Sequence, residues 1–214
     1  MIRVLLVDDH ELIRAGIAMI LRGESDMEVV GECADGADAL EWIRRDPPDV
    51  VLLDVNMPGV GGVEVTRRIA QMATQTRAII LTVLCEQPFP TRLLDAGAAG
   101  YLSKGCDRSE LMRAIRDVST GRRYVGQDIA QKLALSMMPG QAADPFATLS
   151  DREMEVLLLM VRETEPKQIA RQLHISPKTV STYKYRIFEK LGVESDVGLM
   201  RLAARHRLLE DQAY

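Results

Sequence analysis

The chain has 214 residues, 47% of them hydrophobic and 27% charged, with a net charge of −4. That length suits one large domain or two small ones, and two, each able to bury a core, are expected; the balance is that of a soluble globular protein and argues against disorder over most of the chain. The longest apolar runs, Val50 to Leu53 and Leu157 to Val161, fall far short of the roughly 20 residues of a membrane span, and the N-terminus shows no secretory signal pattern, so a cytoplasmic protein is expected.

From residue 1 to about 121, short β-branched runs alternate with amphipathic stretches. Ile2 to Val7, Val29 to Gly31, Val50 to Leu53, Ala78 to Leu81 and Gly100 to Leu102 read as strands with helices between them. Uninterrupted apolar strands joined by helical crossovers predict a doubly wound α/β domain with a five-stranded parallel sheet. Gly36, Pro47, Pro48, Pro58, Gly59, Gly61, Gly62, Gly97 and Gly100 fall where turns are required. Residues 122–137 read as one further short helix, and Met138 to Ala147, with Pro139, Gly140, Ala142, Ala143 and Pro145 and little to bury, as a linker. Past it, Ser150 and Glu153 form a capping box ahead of Val156 to Val161, and three more helices are predicted over 167–173, 177–190 and 196–205. The expected domains are thus 1–121, a short helix and linker over 122–147, and an all-α domain over 148–214.

Chemistry in a doubly wound sheet belongs at the carboxyl ends of its strands. Asp8 and Asp9 end the first predicted strand and Asp54 the third, so three carboxylates should converge with no cation near them in sequence. Such a cluster calls for a hard divalent ion, and Mg²⁺ leaves positions open for a phosphate oxygen. Thr82 ends the fourth strand with a hydroxyl, and Lys104 follows the fifth with a movable ammonium. Acid, metal, hydroxyl and amine together suit an Asp nucleophile attacking phosphorus. His10 has no partner histidine and reads as an ordinary loop residue. Cys33, Cys85 and Cys106, odd in number and without CxxC spacing, read as reduced thiols.

The stretches LLVDDH, LLDVNMPG, LTV and GYLSKG resemble the flavodoxin-like receiver domain of two-component response regulators over residues 1 to about 121. The resemblance implies that Asp54 is the phosphoacceptor, that Asp8, Asp9 and the backbone carbonyl of Asn56 help to hold Mg²⁺, and that Thr82 and Lys104 contact the phosphoryl group. It makes Tyr101 the switch aromatic that turns inward with Thr82 on phosphorylation. Two departures stand out. Gly105 follows Lys104 where Pro is common, so a cis bond there is not assumed. Val83 stands where a smaller residue is common and, as an obstacle to attacking water, implies slow dephosphorylation.

Charge divides unevenly, −5 over residues 1–147 and +1 over 148–214. Within 167–190, Lys167, Arg171, Lys178, Lys184, Arg186 and Lys190 face only Glu189, a local +5 that suits a phosphate backbone. Lys167 to Leu173, a break at His174 to Ser176, and Pro177 to Lys190 read as helix, turn, helix. Val180, Ile187 and Leu191 should point inward, leaving Lys178, Thr179, Ser181, Thr182, Tyr185 and Arg186 toward a major groove with Lys184 and Lys190 beside them for the backbone. From LSDREMEVL through KQIARQL and ISPKTVSTY to KLGV the segment resembles the LuxR-type four-helix DNA-binding domain. Arg162 to Glu165 replaces a turn where Gly is usual, and Tyr183 replaces a common His. The final helix, with Val197, Leu199, Met200 and Ala203, resembles the one through which that family dimerises.

Receiver plus LuxR-type domain is the NarL/FixJ architecture, and CEQPFPTRLLDAGAAGYLSKG and SPKTVSTYKYRIFEKL resemble the GacA/UvrY group of global activators. The resemblance implies a single-turnover phosphoryl acceptor with autodephosphorylation and no other enzymatic activity. A membrane hybrid sensor histidine kinase is its implied donor and the promoters of small regulatory RNA genes its targets. Phosphate on Asp54 is expected either to release a recognition helix masked against the receiver or to form a homodimer. The alternatives are a Mg²⁺-dependent phosphohydrolase and an adaptor receiver that leaves DNA alone.

Overall fold

A computed structural model describes residues 1–57, 59–138, 144–162, 164–206 and 208. In it the apolar runs of the first half become parallel strands β1 (Ile2–Val7), β2 (Met27–Cys33), β3 (Val50–Leu53), β4 (Arg77–Thr82) and β5 (Gly100–Ser103). Their crossovers are helices α1 (Glu11–Arg22), α2 (Gly36–Arg45), α3 (Gly62–Gln71) and α4 (Phe89–Asp95), and α5 (Arg108–Ser119) follows β5. The strands run in the order β2-β1-β3-β4-β5, and a sixth, β6 (Tyr124–Val125), adds to β5 in parallel through Gly100 and Tyr101. The sequence predicts five strands and reads 122–137 as helix throughout. The helix α6 in fact starts at Gln127 (Gln127–Ser136), because two paired residues carry no periodicity to announce a strand.

The central strand β3 is apolar at every position, and β1 and β4 are apolar through their middles, because both faces of the sheet are covered. Val4, Leu6, Val50, Leu52, Ile79 and Leu81 pack with Ala18 and Leu21 of α1 and with Leu111, Ile115 and Val118 of α5. The alternate residues Leu5, Val51, Leu53 and Ile80 are as deeply buried on the opposite face. This first compact unit comprises Met1–Cys85 and Phe89–Met138, and the second is built on the chain from Pro139 onward.

Of the stretch read as a linker, Pro139, Gly140, Ala142 and Ala143 lie outside the described residues, as does the turn residue Pro58. The part that is described corrects the expectation of little to bury. Pro145–Thr148 is a 3-10 turn capped by the Asp144 carboxylate, and Phe146 within it is fully buried, edge-on to His206 with ring centroids 5.5 Å apart. Helices α7 (Asp151–Val161), α8 (Pro166–Gln172), α9 (Pro177–Leu191) and α10 (Asp196–Arg205) enclose a second core of Leu157, Ile169, Val180, Ile187 and Leu199. The Ser150–Glu153 capping box starts α7 with both of its reciprocal hydrogen bonds in place.

Candidate functional site

The carboxyl ends of β1 and β3 are neighbours, Val7 opposite Leu53, and the Asp54 N–H donates to the Val7 carbonyl at 2.8 Å. Asp8 and Asp54 therefore stand side by side, only 4% and 2% exposed. The turn after β5 is tied to β4 by the Lys104 N–H donating to the Thr82 carbonyl. From there the Lys104 ammonium reaches both acids, 2.7 Å from Asp8 Oδ2 and 2.8 Å from Asp54 Oδ2. Burial pushes the Asp54 carboxyl above its ordinary value, with Lys104 opposing and Asp8 adding to the rise. Burial works against the Lys104 ammonium too, but the two carboxylates outweigh it and hold the amine more basic than usual.

The other predicted residues ring this pair. Asp9 is exposed at its mouth, and candidate ligand atoms of Asp8, Asp9, His10 and Asp54 lie within 4.8 Å of one another. His10 lies in the loop after β1, where its N–H donates to Asp8 Oδ1 at 2.8 Å and its Nδ1 lies 2.9 Å from Asp9 Oδ1. The Asn56 N–H donates to Asp54 Oδ1 at 3.0 Å. Thr82 is fully buried, its Oγ1 accepting from the Leu84 N–H. Tyr101 is also fully buried, with its hydroxyl donating to the Leu84 carbonyl, so the ring already lies inward. Burial raises that phenol well above its usual value. Among the described residues the peptide bond between Lys104 and Gly105 is not cis; Gln87–Pro88 is. Arg14, which the sequence reading missed, donates from α1 to the Asp8 carbonyl at 2.6 Å. Its spacing six residues after Asp8, in the second turn of the helix, was the available signal.

Oxygen donors of this kind fit a hard divalent cation: three carboxylates share one mouth and a single ammonium offsets them. Asp8, Asp9 and Asp54 are the side chains that could hold it.

In the second unit Ser176 caps α9, accepting from the Thr179 N–H at 3.1 Å, and the hydroxyls of the two residues are 2.8 Å apart. Pro177 at the first helical position is pre-set for the helix and lacks only an N–H that would go unpaired. Val180 and Ile187 turn inward, while Lys178, Ser181, Thr182, Tyr185 (71% exposed) and Arg186 face out. Lys184 and Lys190 are engaged within the unit. The Lys184 ammonium pairs with Asp196 at 2.6 Å, and that of Lys190 with the buried Glu153 at 2.7 Å and the Thr148 carbonyl at 3.2 Å. Arg152 of α7, also missed from sequence, donates to the Leu173 carbonyl and so closes the end of α8. The turn that follows puts His174 at a φ of 52°, the left-handed region. Glu163, in the turn where Gly is usual, lies outside the described residues.

Comparison with known proteins agrees with both halves. Residues 4–116 match the response regulator receiver domain, and residues 147–203 match the luxR family of bacterial regulatory proteins. The response regulator UvrY of Escherichia coli strain K12 is 50% identical over 209 residues, 97% of this chain and 96% of its own length. The response regulator GacA of Pseudomonas aeruginosa is 47% identical over 98% of this chain and 99% of its own. Among solved structures, RcsB of Salmonella enterica serovar Typhimurium, bound to promoter rprA in the presence of the phosphomimetic BeF3−, matches 95% of this chain and 99% of its own at 26% identity with a TM-score of 0.72. The chain belongs to the response regulators, with a receiver domain followed by a DNA-binding domain of the luxR family.

Proposed function

We propose that Asp54 accepts a phosphoryl group from a sensor histidine kinase and that its phosphorylation governs sequence-specific binding of α9 to promoter DNA. The receiver would occupy residues 1–121, the short helix and linker 122–147 and the DNA-binding domain 148–214. The observation that carries the reading is the Lys104 ammonium seated between Asp8 and Asp54 at the paired ends of β1 and β3. An Asp54 oxygen attacks phosphorus as the bond from phosphorus to the donor nitrogen breaks, giving an acyl phosphate. Lys104 is released from Asp54 to the new phosphoryl oxygens, and the Thr82 hydroxyl donates to another. Tyr101 stays inward and occupies the space behind Thr82. Asp8, Asp9, Asp54 and the Asn56 carbonyl would hold Mg²⁺, which when bound would supply neutralising charge for the phosphoryl oxygens. Water later returns the carboxylate, in a slow autodephosphorylation.

On α9, Lys178, Thr179, Ser181, Thr182, Tyr185 and Arg186 form the groove-facing set. Lys184 and Lys190 serve the DNA indirectly, by holding that helix in the domain through Asp196 and Glu153. Val197, 61% exposed on α10, supports homodimerisation through that helix. Likeness to UvrY and GacA supports a membrane hybrid kinase as donor, small regulatory RNA genes as targets and a cytoplasmic site of action; no helix among the described residues is long and apolar enough to cross a membrane. The test is DNA binding by the wild type and Asp54→Ala with Mg²⁺, with and without a small phosphodonor, across a salt series. Affinity should rise with phosphodonor only in the wild type and fall steeply with salt in both. Equal response of the two proteins to the phosphodonor refutes the coupling.

A further inference from the structure

At the amino ends of β4 and β5, the end of the sheet away from the acidic pocket, lies an open cleft of about 280 Å³. Its walls come from the end of α3, the approach to β4, the turn before β5 and the turn after α5. Three arginines line it, Arg77, Arg122 and Arg123, and no acidic residue does. This is anomalous within residues 1–147, which together carry −5. Several arginines elsewhere in the receiver are neutralised by carboxylates: Arg3 by Asp46, Arg68 by Glu64, Arg108 by Glu24, and Arg116 by Glu24 and Asp26. In the cleft, the half-buried Arg77 finds only the Gln75 carbonyl, at 3.2 Å. Arg122 meets Asp117 loosely, at 3.4 Å with its own side chain 77% exposed. Neither Arg77 nor Arg123 has a carboxylate partner among the described residues.

The backbone is shaped to this arrangement. Gly97 and Gly121 hold φ values of 105° and 91°, which a side chain would strain. A Cβ on Gly97 would lie 2.5 Å from that of Ala70, and one on Gly121 would lie 3.4 Å from the Arg77 guanidinium. The turn after α5 therefore passes directly by Arg77 and delivers Arg122 and Arg123 to the same cleft. Thr74, also in the wall, has a buried hydroxyl without a partner, a group that an oxyanion would satisfy. Arg77 and Arg123, without carboxylates, and the loosely paired Arg122 repel one another until an anion joins them. Their planar forks match the oxygens of a phosphate group best.

We propose that this cleft binds a small phosphorylated anion, a phosphomonoester or pyrophosphate group held between Arg77 and the pair Arg122 and Arg123. Its concavity and size suit a phosphate group entering from solvent better than a duplex backbone lying across the surface. The test is calorimetric titration of full-length Asp54→Ala protein in EDTA, which silences the acidic pocket, with pyrophosphate, glycerol phosphate and sulfate at fixed ionic strength. One of the two phosphates should bind saturably, whichever binds more tightly defining the class. Arg77→Met and Arg123→Met should each weaken that binding about tenfold or more, while Arg22→Met, at an exposed arginine elsewhere, should not. Arg123 is on the surface, so its variant carries the test even if Arg77→Met misfolds. Equal binding of sulfate, or arginine variants that bind like the parent, overturns the proposal. So does a result in which Arg122→Met and Arg123→Met weaken duplex DNA binding alone.

Discussion

Asp54 is costly to stability, because a carboxylate 2% exposed beside a second buried acid has one ammonium, Lys104, and the Asn56 N–H to offset it. Burial lifts its pKa above the ordinary value, so the folded chain holds this proton more tightly than the unfolded chain does. The stability linked to Asp54 is therefore full below the unfolded value, falls as pH rises between the two values and is level above both. At neutral pH, in EDTA, Asp54→Asn should then be more stable than the wild type, by on the order of 1 kcal/mol, since Lys104 keeps its partner Asp8 at 2.7 Å. Thermal melts check this; an Asn variant that melts lower at pH 7 and gains nothing relative to the wild type on going from pH 4 to pH 7 contradicts it. Val83 acts in kinetics instead. It follows the buried Thr82 and is half-buried itself, so its branched side chain should crowd water approaching the phosphoryl group. Val83→Ala should shorten the phosphoryl lifetime several-fold, measured as loss of labelled phosphate from Asp54; equal lifetimes reject the obstruction.

At the scale of elements, α9 is held by its buried Val180 and Ile187 and by polar ties to α7 and α10, and two of its basic residues supply those polar ties. Lys190→Met should cost about 1–2 kcal/mol, moderate because Lys190 is partly in water and Glu153 retains its Ser150 donors. It should leave the slope of log affinity against log salt unchanged, whereas Lys178→Met should flatten that slope by about 0.9. A flattened slope in both variants would return Lys190 to the DNA backbone. Burial alone would raise the Glu153 carboxyl, but Lys190 and Ser150 outweigh it and hold it below the ordinary value, so this tie contributes above the unfolded value and is lost as pH falls through the folded one. The sequence shows Lys190 as one member of a basic run and Glu153 as one half of a capping box. Nothing in either pattern reports that they meet across 37 residues. The same holds for Arg14 on the Asp8 carbonyl and Arg152 on the Leu173 carbonyl: each is a tertiary contact of a long side chain, invisible to local periodicity. Strands β1 and β3, by contrast, are legible to the residue, because burial on both faces imposes an apolar run that ends where the acids begin. Phe146 was missed for the opposite reason, a single buried ring inside a stretch whose Pro, Gly and Ala content signals only a linker.

For the whole molecule, control of DNA binding by Asp54 amounts to a coupling free energy between two sites on two units, and such a coupling is reciprocal. If a phosphoryl mimic at Asp54 raises DNA affinity by some factor, DNA must raise the affinity of Asp54 for the mimic by the same factor, typically about 5- to 150-fold. Beryllofluoride suits the measurement because it binds reversibly where a phosphoryl group would sit. Titrating it into the full chain with Mg²⁺, in the presence and absence of a saturating duplex selected by the chain itself, should give a ratio of dissociation constants equal to the ratio of DNA affinities measured with and without the mimic. The shared ratio should stay constant at every protein concentration if one chain carries the coupling. If homodimerisation through α10 carries it, both ratios grow together with protein concentration, and Val197→Lys, which puts a charge on the exposed apolar position of that helix, should return them toward one while leaving beryllofluoride binding to the free chain unchanged. Ratios of one in the wild type at all concentrations would mean that the acidic pocket and the basic helix share a chain without sharing a switch.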